Sequence, residues 1–173
     1  ELNKHTESQE LPAFLDPIKE GLNVGLLSEA GVPGVADPGA DIVSIAHEKK
    51  VKVKPIVGPS SILLALMASG LNGQNFCFNG YLPRDRQERK KAIQNLEGLS
   101  FRNQQTQIFI ETPFRNNHML EDLSGVCNGE TEIVVATNLT MDNEKITRMK
   151  AKDWKKTKID LHKKPSVFLI HKY

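Results

Sequence analysis

"GLLSEAGVPGVADPGADIV", residues 25–43, decides how the first part of this chain is read. An apolar run, residues 24–27, meets two acids, Glu29 and Asp37. Gly31, Gly34 and Gly39 lie among them with Pro33 and Pro38, and a helix-like pattern begins near Ala40. A continuous apolar run of this kind fits a strand buried on both faces of a parallel sheet. The turn that follows then lies at the strand's carboxyl end, where open α/β sheets bind ligands. It is not a P-loop, because no Gly-Lys-Ser/Thr follows. The glycines also lack the spacing of a dinucleotide fingerprint. A Gly lets a ligand approach the backbone closely, and Pro33 fixes the path without needing a donor. Two readings stand: an ordinary tight strand-to-helix connection, or the backbone floor of a ligand site.

The same grammar recurs downstream. "VKVKPIV" (51–57) alternates and then turns apolar, as a strand does. "GPSSILLALMASGL" (58–71) reads as a helix with Ser60 or Ser61 as N-cap and Gly70 as the stop. Free backbone N–H groups and hydroxyls at that N-terminus suit an anionic group; simple capping explains the serines equally. Residues 11–22 form a short helix ending near Gly21, and residues 40–50 a helix with Ile42, Ile45 and Ala46 on one face. The order α-β-α-β-α predicts parallel strands with right-handed crossovers. Two consecutive strand-helix turns then open on one edge of the sheet.

The turn-rich "LNGQN" (71–75) is the expected boundary between a first α/β domain, 1–74, and a second, 75–173. In the second, 76–82 reads as a strand or an extended linker, strands are expected at 106–112, 131–140 and 165–172, and helices at 86–99 and 115–127. The segment after residue 140, "MDNEKITRMKAKDWKK", is too polar to assign. Strands outnumber the intervening helices, so this sheet is expected to be mixed.

Composition is that of a globular chain: 39% hydrophobic and 25% charged over 173 residues. No apolar run reaches the roughly 18–20 residues of a membrane span. The polar start, "ELNKHTESQEL", does not read as a signal peptide, and a chain opening on Glu1 is expected to be a piece of a longer one. Cys77 and Cys127 read as buried free thiols of a reducing cytoplasm. Net charge is +2 but uneven. Residues 144–173 carry ten Lys/Arg against three acids, leaving 13 basic and 18 acidic groups before them. That polarity steers a polyanion such as RNA, or is a solvated lysine surface; no aromatics are interleaved for base stacking.

Two further strand ends carry chemistry. "IFIETPFR" (108–115) brings Glu111 to the end of an apolar strand with Arg115 four residues on, either a salt bridge or part of a site. "VVATNLT" (134–140) runs out into small and amide residues.

Taken in order, "SEAGVPGVADPGADIV", "VKPIVGPSSILLALMASGL", "FNGYLP", "IFIETPFRN" and "ATNLT" resemble the tetrapyrrole methylase superfamily. The order and spacing are most similar to its branch containing the bacterial small-subunit rRNA (cytidine-2′-O-)methyltransferase. The resemblance spans roughly residues 3–145. It implies two α/β domains, with the family's first strand placed before residue 1 and "NKH" (3–5) as the end of a preceding segment. It implies S-adenosylmethionine as cofactor, bound in a cleft between the domains, and no metal. Carried over by position, Gly31, Val32 and Val35 supply backbone contacts, Ser60 and Ser61 meet the methionine end, and Ile110, Glu111, Ala136 and Asn138 close the pocket. RNA of the small ribosomal subunit is the expected acceptor, a homodimer the expected assembly and the cytoplasm the expected location. A tetrapyrrole or other small-molecule acceptor, or a non-catalytic cofactor-binding module, is the alternative.

Departures concern the acceptor side. The rRNA enzymes read Ser-Asp-Ala-Gly-Thr-Pro where this chain has Glu29 and Val32. They read Tyr-Glu-Ser-Pro where it has Ile110-Glu111-Thr112-Pro113, and Ala-Arg-Glu-Leu-Thr-Lys where it has residues 136–141, "ATNLTM". If the acceptor is a hydroxyl, Glu29, Asp37 and Glu111 are the candidate bases.

Overall fold

A computed structural model describes residues 2–3 and 6–173. Lys4 and His5 of the expected preceding segment lie outside the described residues. The chain divides into two compact units: one ends at Ser60, the other runs Ser61–Tyr173.

The first unit packs helix on helix. A 3₁₀ turn, Leu11–Leu15, continues into helix α1, Asp16–Lys19, and stops at Gly21, whose φ is +81°. Helix α2, Ala40–Glu48, presents Ile42 and Ala46 to Leu11 and Leu15, with Ile45 partly buried beside them. The helical face read from the sequence is therefore the buried one. The two expected strands are not. Residues 24–28 and 51–57 have no strand pairing, and the parallel sheet expected here is absent among the described residues. Leu27 is 90% exposed, Ile56 83% and Val57 fully so. An apolar run signals a need for burial, but only a hydrogen-bonded neighbour makes it a strand. Neither segment pairs with another strand among the described residues; the Val51 N–H goes instead to the Ala46 carbonyl at the end of α2.

The second unit is a three-layer α/β structure. Helix α3, Ser61–Ser69, ends at Gly70 with φ +65°. Strand β1, Phe76–Tyr81, is followed by helix α4, Arg86–Asn103, and strand β2, Thr106–Ile110, parallel to β1. Asp85 starts α4 by accepting from the N–H groups of Gln87 and Glu88, both at 2.9 Å. Helix α5, Asn116–Val126, leads to strand β3, Glu132–Thr137. Strand β4, Lys145–Lys150, and the short helix α6, Ala151–Trp154, lie in the segment too polar to assign from sequence. Edge position explains that polarity, because β4 pairs only with β3 and none of its residues is fully buried. Strand β5, Ser166–His171, inserts between β2 and β3, antiparallel to both, giving the order β1-β2-β5-β3-β4. The sheet is mixed, as expected.

Alternation divides the core between two faces. Phe109, Ile133, Val135, Phe168 and Ile170 meet Ile93 and Leu96 of α4 and Met119 and Leu123 of α5. Ile108, Val134, Ala136, Val167 and Leu169 meet Ile62, Ala65 and Leu66 of α3. Both faces are covered, which is why these strands read as continuous apolar runs.

Candidate functional site

In the first unit, the two glycine turns converge. Ser28 Oγ donates to the Ala30 carbonyl at 3.1 Å and accepts from the Ala30 N–H at 3.3 Å, setting the approach to Gly31. Left-handed backbone follows at Gly31 (φ +79°), Gly34 (+77°), Ala36 (+57°) and Gly39 (+134°). A Cβ on Gly31 would lie 3.6 Å from the Pro59 carbonyl, and one on Gly58 would lie 3.2 Å from Val32 Cγ1. Residues 31–32 thus lie against residues 58–59, which the sequence placed on one edge by analogy of their turns. Gly31 is exposed, Val32 half-buried and Val35 half-exposed. Glu29 is exposed and Asp37 half-buried, and neither forms an ion pair among the described residues. Ser60 closes this unit; Ser61 opens α3 in the other.

In the second unit, β2 and β3 both run antiparallel to β5, so their carboxyl ends share one edge with that of β1. Ile110 and Ala136 each pair with Val167, on opposite sides of it. Two interstrand steps set them roughly 10 Å apart. All three side chains face the α3 layer, and Ala136 is completely buried there. Any contact Ala136 makes with a ligand is through its backbone. Asn138 turns left-handed (φ +51°) and donates its N–H to the Pro165 carbonyl at 2.9 Å; Thr140 is also left-handed (φ +69°).

Glu111 is the most constrained of the candidate acids. Its side chain is 1% exposed. Oε1 accepts from the Thr112 N–H and from Arg115 Nη2, both at 2.5 Å. The salt bridge anticipated from the four-residue spacing is therefore present. Oε2, however, is buried with no hydrogen-bond partner, as are Arg115 Nε and Asn116 Oδ1. An orphaned buried carboxylate oxygen costs free energy unless a group outside the chain satisfies it. Arg115 and Asn116 were not singled out as a set with Glu111, because an ion pair at this spacing is common on its own.

The thiols are free. Burial, reinforced by the negative charge of Glu97, pushes the Cys127 thiol up to about 12. Such a thiol is inert at neutral pH. Among the described residues no three His, Cys, Asp or Glu side chains gather as a metal site, and no helix is long and apolar enough to cross a membrane.

Comparison with known proteins bears on these arrangements. The chain is 35% identical to the ribosomal RNA small subunit methyltransferase I of Vibrio cholerae, over 99% of its own length and 59% of the relative's. It is 34% identical to the protein of the same name from Haemophilus influenzae, over 84% of its own length and 50% of the relative's. The chain thus spans about half the length of the curated relatives it matches. The structure of the methyltransferase CobJ superposes with a TM-score of 0.64 at 18% identity, covering 98% of this chain and 73% of that one, which is likeness of fold. Residues 2–154 match the family described as Tetrapyrrole (Corrin/Porphyrin) Methylases. With nearly nine-tenths of its residues inside that match, this chain belongs to the tetrapyrrole methylase family.

Proposed function

We propose that this chain is part of an S-adenosylmethionine-dependent methyltransferase that acts on RNA of the small ribosomal subunit, at a ribose 2′-hydroxyl. The observation that carries the reading is the 35% identity to an rRNA small subunit methyltransferase over 99% of the chain. The residues present fit the cofactor. The first unit has a left-handed glycine at 31 and bare backbone at Gly58, where a side chain would crowd Val32. Such backbone offers hydrogen-bonding groups for an adenine edge without side-chain bulk. Ser60 and Ser61 add hydroxyls for the carboxylate end. Gly31, Val32, Val35, Ser60, Ser61, Ile110, Ala136 and Asn138 are the proposed binding set. When bound, S-adenosylmethionine supplies an electrophilic methyl on a cationic sulfur.

Transfer to a hydroxyl is an in-line displacement, governed by how well the acceptor is positioned. Glu29, Asp37 and Glu111 are the acids of the proposed catalytic set, and Glu111 stands out by its geometry. Arg115 and the Thr112 N–H hold Oε1, while the buried Oε2 has no partner and is the oxygen proposed to take the proton once the bound acceptor reaches it. We further propose a cytoplasmic homodimer, with the domain division after residue 74 in the whole protein.

The test is methyl transfer by the whole protein onto RNA from a strain lacking it, with the modified nucleotide identified by mass spectrometry. A labelled 2′-O-methyl ribose on small-subunit rRNA is expected. Calorimetry showing no cofactor binding to the folded whole protein would overturn the reading. A tetrapyrrole acceptor is favoured instead by the family's description, and methylation of a porphyrinogen but not of RNA would establish it.

A further inference from the structure

Among the described residues, some lysines near the C-terminus are paired and others are not. Lys150 and Lys152 are both held by Glu130, and Lys172 faces Glu97. Segment 155–164, between α6 and β5, carries five lysines and one aspartate. Lys155, Lys156, Lys158 and Lys163 there are exposed and form no ion pair among the described residues. The aspartate, Asp160, is occupied: it accepts from Asn117 Nδ2 and from the His162 N–H, both at 2.9 Å.

The fold brings an aromatic residue to this segment from far away in sequence. Phe114, in the connection from β2 to α5, is 65% exposed, and its ring meets that of His162 edge-on at 5.8 Å. The two segments are bolted together. The Lys163 N–H donates to the Pro113 carbonyl at 3.0 Å, Asn116 Nδ2 to the Lys164 carbonyl at 2.6 Å, and the Leu161 N–H to Asn117 Oδ1 at 2.7 Å. Lys163 sits next in the chain to His162, which the exposed ring meets, and Lys158, Lys156 and Lys155 follow back along the same segment toward α6. A line of cations ending at a flat face is what a single-stranded nucleic acid requires. The same β2–α5 connection begins at Glu111.

We propose that Phe114 with Lys155, Lys156, Lys158 and Lys163 forms a docking platform for single-stranded RNA, placing the strand next to Glu111. This deepens the RNA-methyltransferase reading and rests on it. The lysines supply sequence-independent affinity, and Phe114 stacks on one base.

The test is fluorescence-anisotropy binding of a labelled single-stranded oligoribonucleotide to the whole protein across a salt series. Replacing the four lysines together by Gln is expected to reduce the slope of log K against log salt by about 3, at roughly 0.7 per phosphate contact on a single strand. Phe114→Leu is expected to weaken binding about ten-fold with the slope unchanged. The single variant Lys150→Gln, which removes an ammonium group held by Glu130, is expected to leave both unchanged. A four-lysine variant with the wild-type slope, or a paired-lysine control that loses as much, overturns the platform while leaving methyl transfer to RNA intact. Binding to anionic phosphatidylserine vesicles but not to RNA overturns the choice of partner. Failure of the methyltransferase reading shows separately, as absent cofactor binding by calorimetry.

Discussion

Replacing Asp122 by Ala should cost the second unit about 3–5 kcal/mol, since it strands a buried guanidinium without its counter-ion. Asp122 lies on α5 with a fully buried side chain, and Arg89 on α4 is 6% exposed. Asp122 Oδ2 accepts from Arg89 Nε at 2.9 Å and Nη2 at 2.6 Å, while Oδ1 accepts from Arg86 Nε at 3.0 Å. Arg86 is 60% exposed, so its share is screened by solvent and small beside that of Arg89. Arg89 keeps only the Arg84 carbonyl at 2.9 Å and the Pro83 carbonyl at 3.4 Å once the carboxylate is gone. Those neutral acceptors do not offset a full charge in a dry site. Against a total stability of roughly 5–15 kcal/mol, the loss is a large fraction. Urea unfolding followed by the fluorescence of Trp154 reads this unit directly. It is the sole tryptophan, is 3% exposed, and donates to the Ile133 carbonyl at 3.0 Å. The double replacement Arg89→Met with Asp122→Leu should recover stability to within about 1 kcal/mol of wild type, because the apolar pair has no charge to desolvate. A single variant losing less than about 1 kcal/mol, or a double variant no better than the single, would refute the reasoning.

Glu111→Gln keeps an acceptor for Thr112 while removing the charge, so methyl transfer should fall about 100-fold or more with cofactor affinity retained; single-turnover assays beside calorimetry separate the two, and unchanged transfer excludes Glu111 as the base. The pKa of His171 is lowered by burial and secondarily by the Arg148 charge. Its unfolded form therefore takes up the proton first. The corresponding stability is complete above about pH 6.5 and is lost as pH falls below it. Urea midpoints at pH 7.5 and 5.5 should show the drop, and His171→Gln should flatten that part of the profile. Gly39→Ala forces a Cβ to 2.6 Å from Leu26 Cδ2 at a φ of +134°. It should loosen the first unit by about 1–3 kcal/mol, read as faster amide exchange in α2 with the second unit unchanged. Equal exchange in both proteins would show that the turn relaxes freely.

Much of this molecule was legible in the residues alone. The helical face of Ile42, Ile45 and Ala46, the stops at Gly21 and Gly70, the strands around Phe109, Val134 and Phe168, and the mixed second sheet follow from period, turn chemistry and paired apolar runs. The Glu111–Arg115 salt bridge is one of the two readings of their four-residue spacing, and the turn before α5 closes it. The motif order was enough to place the chain in its family. Where local pattern misled, a partner was at issue. Residues 24–28 and 51–57 have strand composition, but pairing is a property of two segments and composition reports one. Strand β4 was hidden for the converse reason: as an edge strand it buries too little to show an apolar period.

Only the tertiary structure decided which distant groups meet. The apposition of Gly31 with Pro59, the Arg89–Asp122 pair and the seating of Phe114 against the segment of Lys163 all join segments tens of residues apart. Local sequence encodes the torsional and apolar preferences of each segment. Which carbonyl a buried N–H finds, or which charge a buried guanidinium meets, depends on how the layers close. For this protein the residues determined the family and most of the local elements; the packing determined which polar groups are satisfied from within and which are not.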